Sequence, residues 1–92
     1  MSKALLVRVT GQVQGVGYRA WAEAAARTRG LSGWVRNRRD GTVEALIAGD
    51  DGKVDEMLGY LWQGPTASRV TKVEAEPAEQ PMGLGFRTLP TA

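Results

Sequence analysis

Apolar and polar residues alternate along several short stretches of the chain, a pattern typical of half-buried β-strands. Within residues 4–10, for example, Val7 and Val9 lie on one face and polar residues on the other. The same pattern predicts further strands at residues 31–38, 42–48 and 69–76, and a short closing strand at 86–89. Asp40 and Gly41 form a strong turn signal, which predicts a hairpin between the second and third strands.

Two longer segments repeat their apolar residues with the helical period. The first spans residues 18–29, and its apolar face comprises Tyr18, Trp21, Ala22, Ala25 and Ala26. The second spans residues 53–63, and its apolar face comprises Val54, Met57, Leu58, Leu61 and Trp62. Both Trp21 and Trp62 are therefore predicted to belong to the hydrophobic core.

The ends of both helices carry recognisable capping residues. Gly30 suits the position after the first helix, with Leu31 as its hydrophobic contact. Asp50 can cap the second helix, and Gly64 and Pro65 end it. The resulting order, β-α-β-β-α-β with a possible short fifth strand, predicts an α+β ferredoxin-like sandwich: an antiparallel sheet with two helices on one face.

The composition excludes several kinds of chemistry. The chain has no cysteine and no histidine, which removes thiol nucleophiles, phosphohistidine and the commonest zinc ligands. A net charge of +2 suits anionic ligands but is too small to indicate nucleic-acid binding. No apolar run is long enough to span a membrane. We expect residues 1–92 to form one domain of a cytoplasmic protein without a metal.

A glycine-rich stretch at residues 11–19 lies between the first strand and the first helix. Glycine permits positive φ and close approach of a ligand, and the start of a helix presents free N–H groups. Arg19 adds a forked charge in the first helical turn. The stretch therefore predicts a cradle for a phosphate or another oxyanion, although a tight turn beside a solvated arginine would give the same pattern.

The predicted topology brings Asn37 towards Arg19. A helix crosses over between strands 1 and 2, so the two strands run parallel and their carboxyl ends meet at one edge. Asn37 is late in strand 2 and shares a face with Val35, so it should lie near the glycine-rich turn. The alternative is an asparagine that only prepares the following turn.

Residues 9–19 and residues 30–44 resemble the two signature motifs of the acylphosphatase family. The length and the order of elements fit as well, so the resemblance covers essentially the whole chain. It implies a ferredoxin-like fold and metal-independent hydrolysis of acyl phosphates to carboxylate and inorganic phosphate, without a cofactor. It also implies a small-molecule acyl phosphate as substrate, with inorganic phosphate or another anion bound in the loop. From the chain as a whole we expect no nucleic-acid or membrane partner and a monomer.

The resemblance also assigns roles to individual residues. Arg19 corresponds to the family's phosphate-binding arginine and Asn37 to its water-positioning asparagine. The phosphate-binding loop corresponds to Gln14, Gly15, Val16, Gly17 and Tyr18, acting through their backbone. The family often has phenylalanine at the position of Tyr18, and the segment 83–92 lacks the aromatic-rich ending of many members, which leaves the pairing of the last strand open.

The remaining charged residues have simpler interpretations. Arg19, Glu23 and Arg27 form an i, i+4 ladder on a second face of the first helix. Glu23 and Glu44 are interpreted as solvated or paired surface charges rather than catalytic bases. The main alternative functions are an RNA-binding module or a regulatory ligand-binding module of the same fold, but the open sheet face has a single aromatic residue among acidic ones.

Overall fold

The structure is a computed structural model that describes all 92 residues. It contains five strands and two helices. In chain order they are β1 (Ser2–Gln12), α1 (Tyr18–Thr28), β2 (Ser32–Asn37), β3 (Val43–Asp50), α2 (Asp51–Gln63), β4 (Arg69–Pro77) and β5 (Phe86–Thr88). Every predicted element is present, and its ends lie within about two residues of the prediction.

The strands form one sheet in the order β4-β1-β3-β2-β5. β1 pairs antiparallel with β3 and β4, and β2 pairs antiparallel with β3, so β1 and β2 run parallel to each other as predicted. β5 joins the edge of β2 in parallel, which makes the sheet mixed rather than purely antiparallel. Residues 78–85 cross from one edge of the sheet to the other at a single end of it. β5 therefore runs opposite to β4 and parallel to β2.

The hydrophobic core lies between the sheet and the two helices. It includes Val7, Val9, Val35, Val43, Ala45 and Ile47 from the sheet and Tyr18, Ala22, Ala26, Val54, Met57 and Leu61 from the helices. Trp21 packs against this core and stacks on Tyr60, with 4.7 Å between the ring centroids. No helix is both long enough and apolar enough to cross a membrane.

Two predictions about burial are wrong. Trp62 is 50% exposed, because it follows the buried Leu61 by about 100° around α2 and so points off the core face. Glu44 is only 9% exposed, so it does not lie on the surface as predicted, although its predicted pairing with another charge is confirmed. It lies opposite Arg36 in the β2–β3 register, and its Oε1 is 2.9 Å from Arg36 Nη2 and 3.5 Å from Arg38 Nη1.

The capping predictions are confirmed. Gly30 has a φ of 68°, and its N–H donates to Arg27 O while the N–H of Leu31 donates to Ala26 O. These two bonds are the Schellman motif that ends many helices. At the start of α2, the Asp50 side chain accepts hydrogen bonds from the N–H groups of Gly52 and Lys53.

Candidate active site

The turn between β1 and α1, residues 14–18, is called here the glycine loop. Gly15 and Gly17 have φ values of 73° and 79°, and Gly17 caps α1 without any side-chain hydrogen bond. None of the backbone N–H groups of residues 15–20 donates a hydrogen bond within the protein. The first turn of α1 also has no acidic residue. The loop therefore presents free donors and the positive end of a helix dipole to an anion.

The side chain of Gln14 attaches the glycine loop to the β2–β3 turn. Its Nε2 donates to the carbonyl oxygens of Arg38 and Thr42, at 2.7 and 2.9 Å. These carbonyls belong to the two residues that flank the tip of the hairpin: Arg38 follows Asn37, and Thr42 precedes β3. Gln14 therefore fixes the distance between the loop and the end of β2 through a side chain, in addition to its predicted backbone role.

Arg19 and Asn37 line the same pocket, as the topology predicted. The pocket has a volume of about 370 Å³ and is lined by Val13, Gly15, Gly17, Tyr18, Arg19, Ala20, Glu23, Asn37 and Thr88. The half-buried Arg19 donates from Nη1 to the carbonyl of Leu89 at 3.5 Å. Asn37 Oδ1 is buried and has no hydrogen-bond partner in the protein. Arg19 and Asn37 thus line one space beside the loop, a forked cation next to a carboxamide.

Glu23 and Thr88 also line this pocket, and sequence reasoning did not include either among the site residues. Thr88 Oγ1 donates to Glu23 Oε1 at 3.1 Å, and Glu23 Oε2 lies 3.8 Å from Arg27 Nη1. The spacing of Glu23 from Arg19 on one helix face was a usable signal for its position. Thr88 gave no such signal, since its neighbourhood depends on the pairing of β5.

Tyr18 begins α1, but its hydroxyl is not available to a ligand. The hydroxyl donates to Leu61 O at 2.6 Å, and burial raises the pKa of Tyr18 well above its ordinary value. Leu61 O has no helical donor, because the residue four positions later is Pro65. Tyr18 therefore joins α1 to α2 and contributes only its backbone to the glycine loop.

The arrangement can bind a tetrahedral anion and hold a neutral nucleophile next to it. The amide groups of the loop and the guanidinium of Arg19 are suited to phosphoryl oxygens. The carboxamide of Asn37 can form a hydrogen bond with a water molecule in the pocket. A sheet in this order with two helices on it defines the ferredoxin-like α+β class, and the pocket lies beside the turn that joins β1 to α1.

Comparison with known proteins identifies the family. The acylphosphatase family model matches residues 5–88. An acylphosphatase of Rhizobium meliloti strain 1021 is 52% identical, covering 89% of this chain and 90% of that protein. An acylphosphatase of Bradyrhizobium diazoefficiens is 50% identical and matches 99% of both chains. The solved structure of an acylphosphatase from Coxiella burnetii has a TM-score of 0.91 at 31% identity, covering 96% of this chain and 93% of that one.

The chain therefore belongs to the acylphosphatase family. The predicted ferredoxin-like fold and the predicted acylphosphatase class of enzyme are both confirmed at that level. The individual roles of Arg19, Asn37 and the glycine loop remain predictions, and the geometry above supports them.

Proposed function

We propose that the enzyme hydrolyses acyl phosphates by direct attack of water at phosphorus, with Arg19 and the glycine loop binding the phosphoryl group. The free N–H groups of residues 15–20 and the guanidinium supply positive potential on several sides of the pocket. Preorganised donors of this kind stabilise the charge of the equatorial oxygens in phosphoryl transfer. The observation that carries the proposal is that Arg19 and Asn37 line one pocket beside these donors.

Asn37 positions the attacking water in this mechanism. Its carboxamide lines the pocket beside the loop and can form a hydrogen bond with the water. The water oxygen forms a bond to phosphorus as the bond between phosphorus and the acyl oxygen breaks. The carboxylate leaves with the bonding electron pair, and the water's proton passes to a phosphoryl oxygen. A carboxylate is a stable leaving group, so the reaction needs no strong general acid.

The test is the release of benzoate from benzoyl phosphate, compared between the wild type and variants of Arg19. Arg19→Ala should abolish both turnover and competitive inhibition by inorganic phosphate. Arg19→Lys should remain poor, because an ammonium cannot replace the guanidinium fork. Activity should persist after dialysis against EDTA, since the proposed mechanism contains no metal. Inhibition by phosphate that survives in Arg19→Ala would overturn the assignment of this residue.

The open face of the sheet does not favour the RNA-binding alternative. Its aromatic residue, Trp34, has the Arg36 guanidinium 4.7 Å from its ring centroid, and that guanidinium is paired with Glu44. A base could stack on Trp34 only after displacing this arrangement. Glu74 and Glu76 lie on the same face and oppose a phosphate backbone. Titration with single-stranded RNA at low salt should therefore show no saturable binding.

We also propose that the enzyme acts as a monomer. One chain supplies the glycine loop, Arg19 and Asn37, so the pocket needs no residue from a second copy. Sedimentation equilibrium at assay concentration, with and without inorganic phosphate, should give the mass of one chain. Specific activity that rises with enzyme concentration would contradict this proposal.

A further inference from the structure

One polar row of α1, formed by Arg19, Glu23 and Arg27, contacts the edge strand of the sheet. The row consists of residues that are one helical turn apart and therefore neighbours on the helix surface. Its hydrogen bonds are Arg19 Nη1 to Leu89 O at 3.5 Å, Thr88 Oγ1 to Glu23 Oε1 at 3.1 Å, and Arg27 Nε to Phe86 O at 3.1 Å. The whole row thus lies along β5 and the residue that follows it.

β5 contacts the strand of Asn37 at the same time. Thr88 is opposite Val35 in the parallel β2–β5 pair, and the N–H of Leu89 donates to Val35 O at 2.9 Å. Asn37 ends the same strand, β2. The short β5 therefore bridges the helix that carries Arg19 and the strand that carries Asn37.

Of the three hydrogen bonds between α1 and residues 86–89, only one depends on a side chain of β5. Any residue at positions 86 and 89 would offer a carbonyl oxygen to Arg27 and Arg19. The contact with Glu23, in contrast, requires a hydroxyl at position 88. Thr88 and Glu23 also line the pocket, although the proposed mechanism gives neither a task.

We propose that Thr88 and Glu23 are positioning residues for Arg19. Their hydrogen bond holds the end of β5 against α1, so that the carbonyl of Leu89 keeps the guanidinium directed at the pocket. Arginine loses much side-chain entropy when a ligand orders it, and ordering it beforehand reduces that loss on binding. This proposal rests on the proposed function, because it takes Arg19 as the ligand of the phosphoryl group.

The test uses two substitutions of Thr88, one that removes the hydroxyl and one that keeps it. Thr88→Val removes the hydroxyl and keeps the shape, so the KM for benzoyl phosphate and the Ki of inorganic phosphate should both rise about three- to tenfold. The kcat should stay within about twofold, as expected when binding is lost equally from the ground and transition states. Thr88→Ser keeps the hydroxyl and should restore both constants to wild-type values.

Thr28→Val is the matched control. The Thr28 hydroxyl donates to Ala24 O at 2.9 Å on the same helix, but at the end remote from the pocket. This variant should leave the Ki of phosphate unchanged. In a Glu23→Ala background, Thr88→Val should cause no further rise in the Ki, because the partner of the hydroxyl is already absent.

An unchanged Ki in Thr88→Val, or a failure of Thr88→Ser to restore it, would overturn the positioning role. An equal rise in the Ki with and without Glu23 would also overturn it.

These results are distinguishable from failure of the proposed function. If the wild type fails to hydrolyse benzoyl phosphate, or if Arg19→Ala still binds phosphate, both proposals fall. If those two experiments succeed and only the Thr88 variants behave as wild type, the positioning role alone falls.

Discussion

Two side chains of the pocket, those of Arg19 and Asn37, differ in whether the protein supplies them with a hydrogen-bond partner. Arg19 is held by the carbonyl of Leu89, whereas Asn37 Oδ1 is buried without a hydrogen bond from the protein. An unsatisfied buried acceptor costs about 1–3 kcal/mol, so a fold that keeps one commonly uses it to bind something. Binding of phosphate and activation of water should therefore respond to different substitutions.

Asn37→Ala should separate these two activities. We expect kcat to fall by about two to four orders of magnitude, by analogy with the loss of one preorganised polar group. The Ki of inorganic phosphate should change by less than about threefold, because Arg19 and the loop amides remain. Initial rates with benzoyl phosphate measure both constants. Ser32→Ala, at the opposite end of β2, is the control, and near-normal turnover in Asn37→Ala would assign the water to another group.

Tyr18→Phe should reduce stability through a single hydrogen bond. Removing the hydroxyl leaves Leu61 O without a donor, which should lower the free energy of unfolding by about 1–2 kcal/mol. Burial raises the pKa of Tyr18 in the folded state above 10.0, its ordinary value. The stability that the neutral Tyr18 side chain contributes is therefore fully present below pH 10.0. It is lost as the pH rises further, because the tyrosine of the unfolded chain ionises first.

Urea unfolding at several pH values measures this effect. The stability difference between wild type and Tyr18→Phe should narrow above pH 10.0. Tyr60→Phe is the control, since no hydrogen bond of the Tyr60 hydroxyl is present, and it should change stability by less than about 0.5 kcal/mol. A difference that stays constant across this range would contradict the stated cause.

At the scale of elements, hydropathy and capping rules were sufficient for the location of every helix and strand. They succeeded where residues close in sequence determine the local structure. Examples are the glycine that ends α1 with a positive φ and the aspartate whose side chain caps α2. They failed for Trp62, because it adjoins the apolar stripe of α2 without being covered by the sheet. They also left the partner of β5 open, since three residues are too few for alternation to define a register.

Backbone contacts between strands make one glycine of the sheet hard to replace. Gly33 has a φ of 134°, and a methyl group there would overlap the carbonyl of Leu46 on β3. Gly33→Ala should therefore lower the free energy of unfolding by about 2 kcal/mol or more. Gly59→Ala, in α2 with open space around it, should instead raise it by about 0.5–1 kcal/mol. Thermal unfolding of both variants checks this contrast, and equal shifts would refute it.

At the scale of the whole molecule, the sequence allowed Arg19 and Asn37 to be placed together. The crossover helix makes β1 and β2 parallel, so the turn after β1 and the last residue of β2 lie at the same end of the sheet. The sequence could not place Thr88 in the pocket or the carbonyl of Leu89 beside Arg19, because both positions depend on the long-range pairing of β5. The burial of Glu44 was also hidden, although the hairpin turn already implied that Arg36 would lie opposite it. Neighbours set by a hairpin or by the β1–α1–β2 crossover can be predicted from the sequence, whereas those set by the pairing of β5 cannot.

The absence of histidine from the chain gives a prediction for the enzyme as a whole. No side chain with an ordinary pKa near neutrality takes part in the proposed mechanism, so kcat should vary by less than about threefold between pH 5 and 8. Rates with benzoyl phosphate at constant ionic strength measure this profile. A steep bell centred near pH 7 would instead indicate a carboxylate, with Glu23 the first to test by substitution to glutamine.

The large sequence separation of the Arg19 contact has a consequence for local unfolding. The carbonyl of Leu89, which accepts from the Arg19 guanidinium, lies 70 residues along the chain from the arginine. Its position depends on the three residues of β5, which pair with β2 at the edge of the sheet. Transient opening of this short edge strand would therefore release the guanidinium while both helices stay packed on the other four strands.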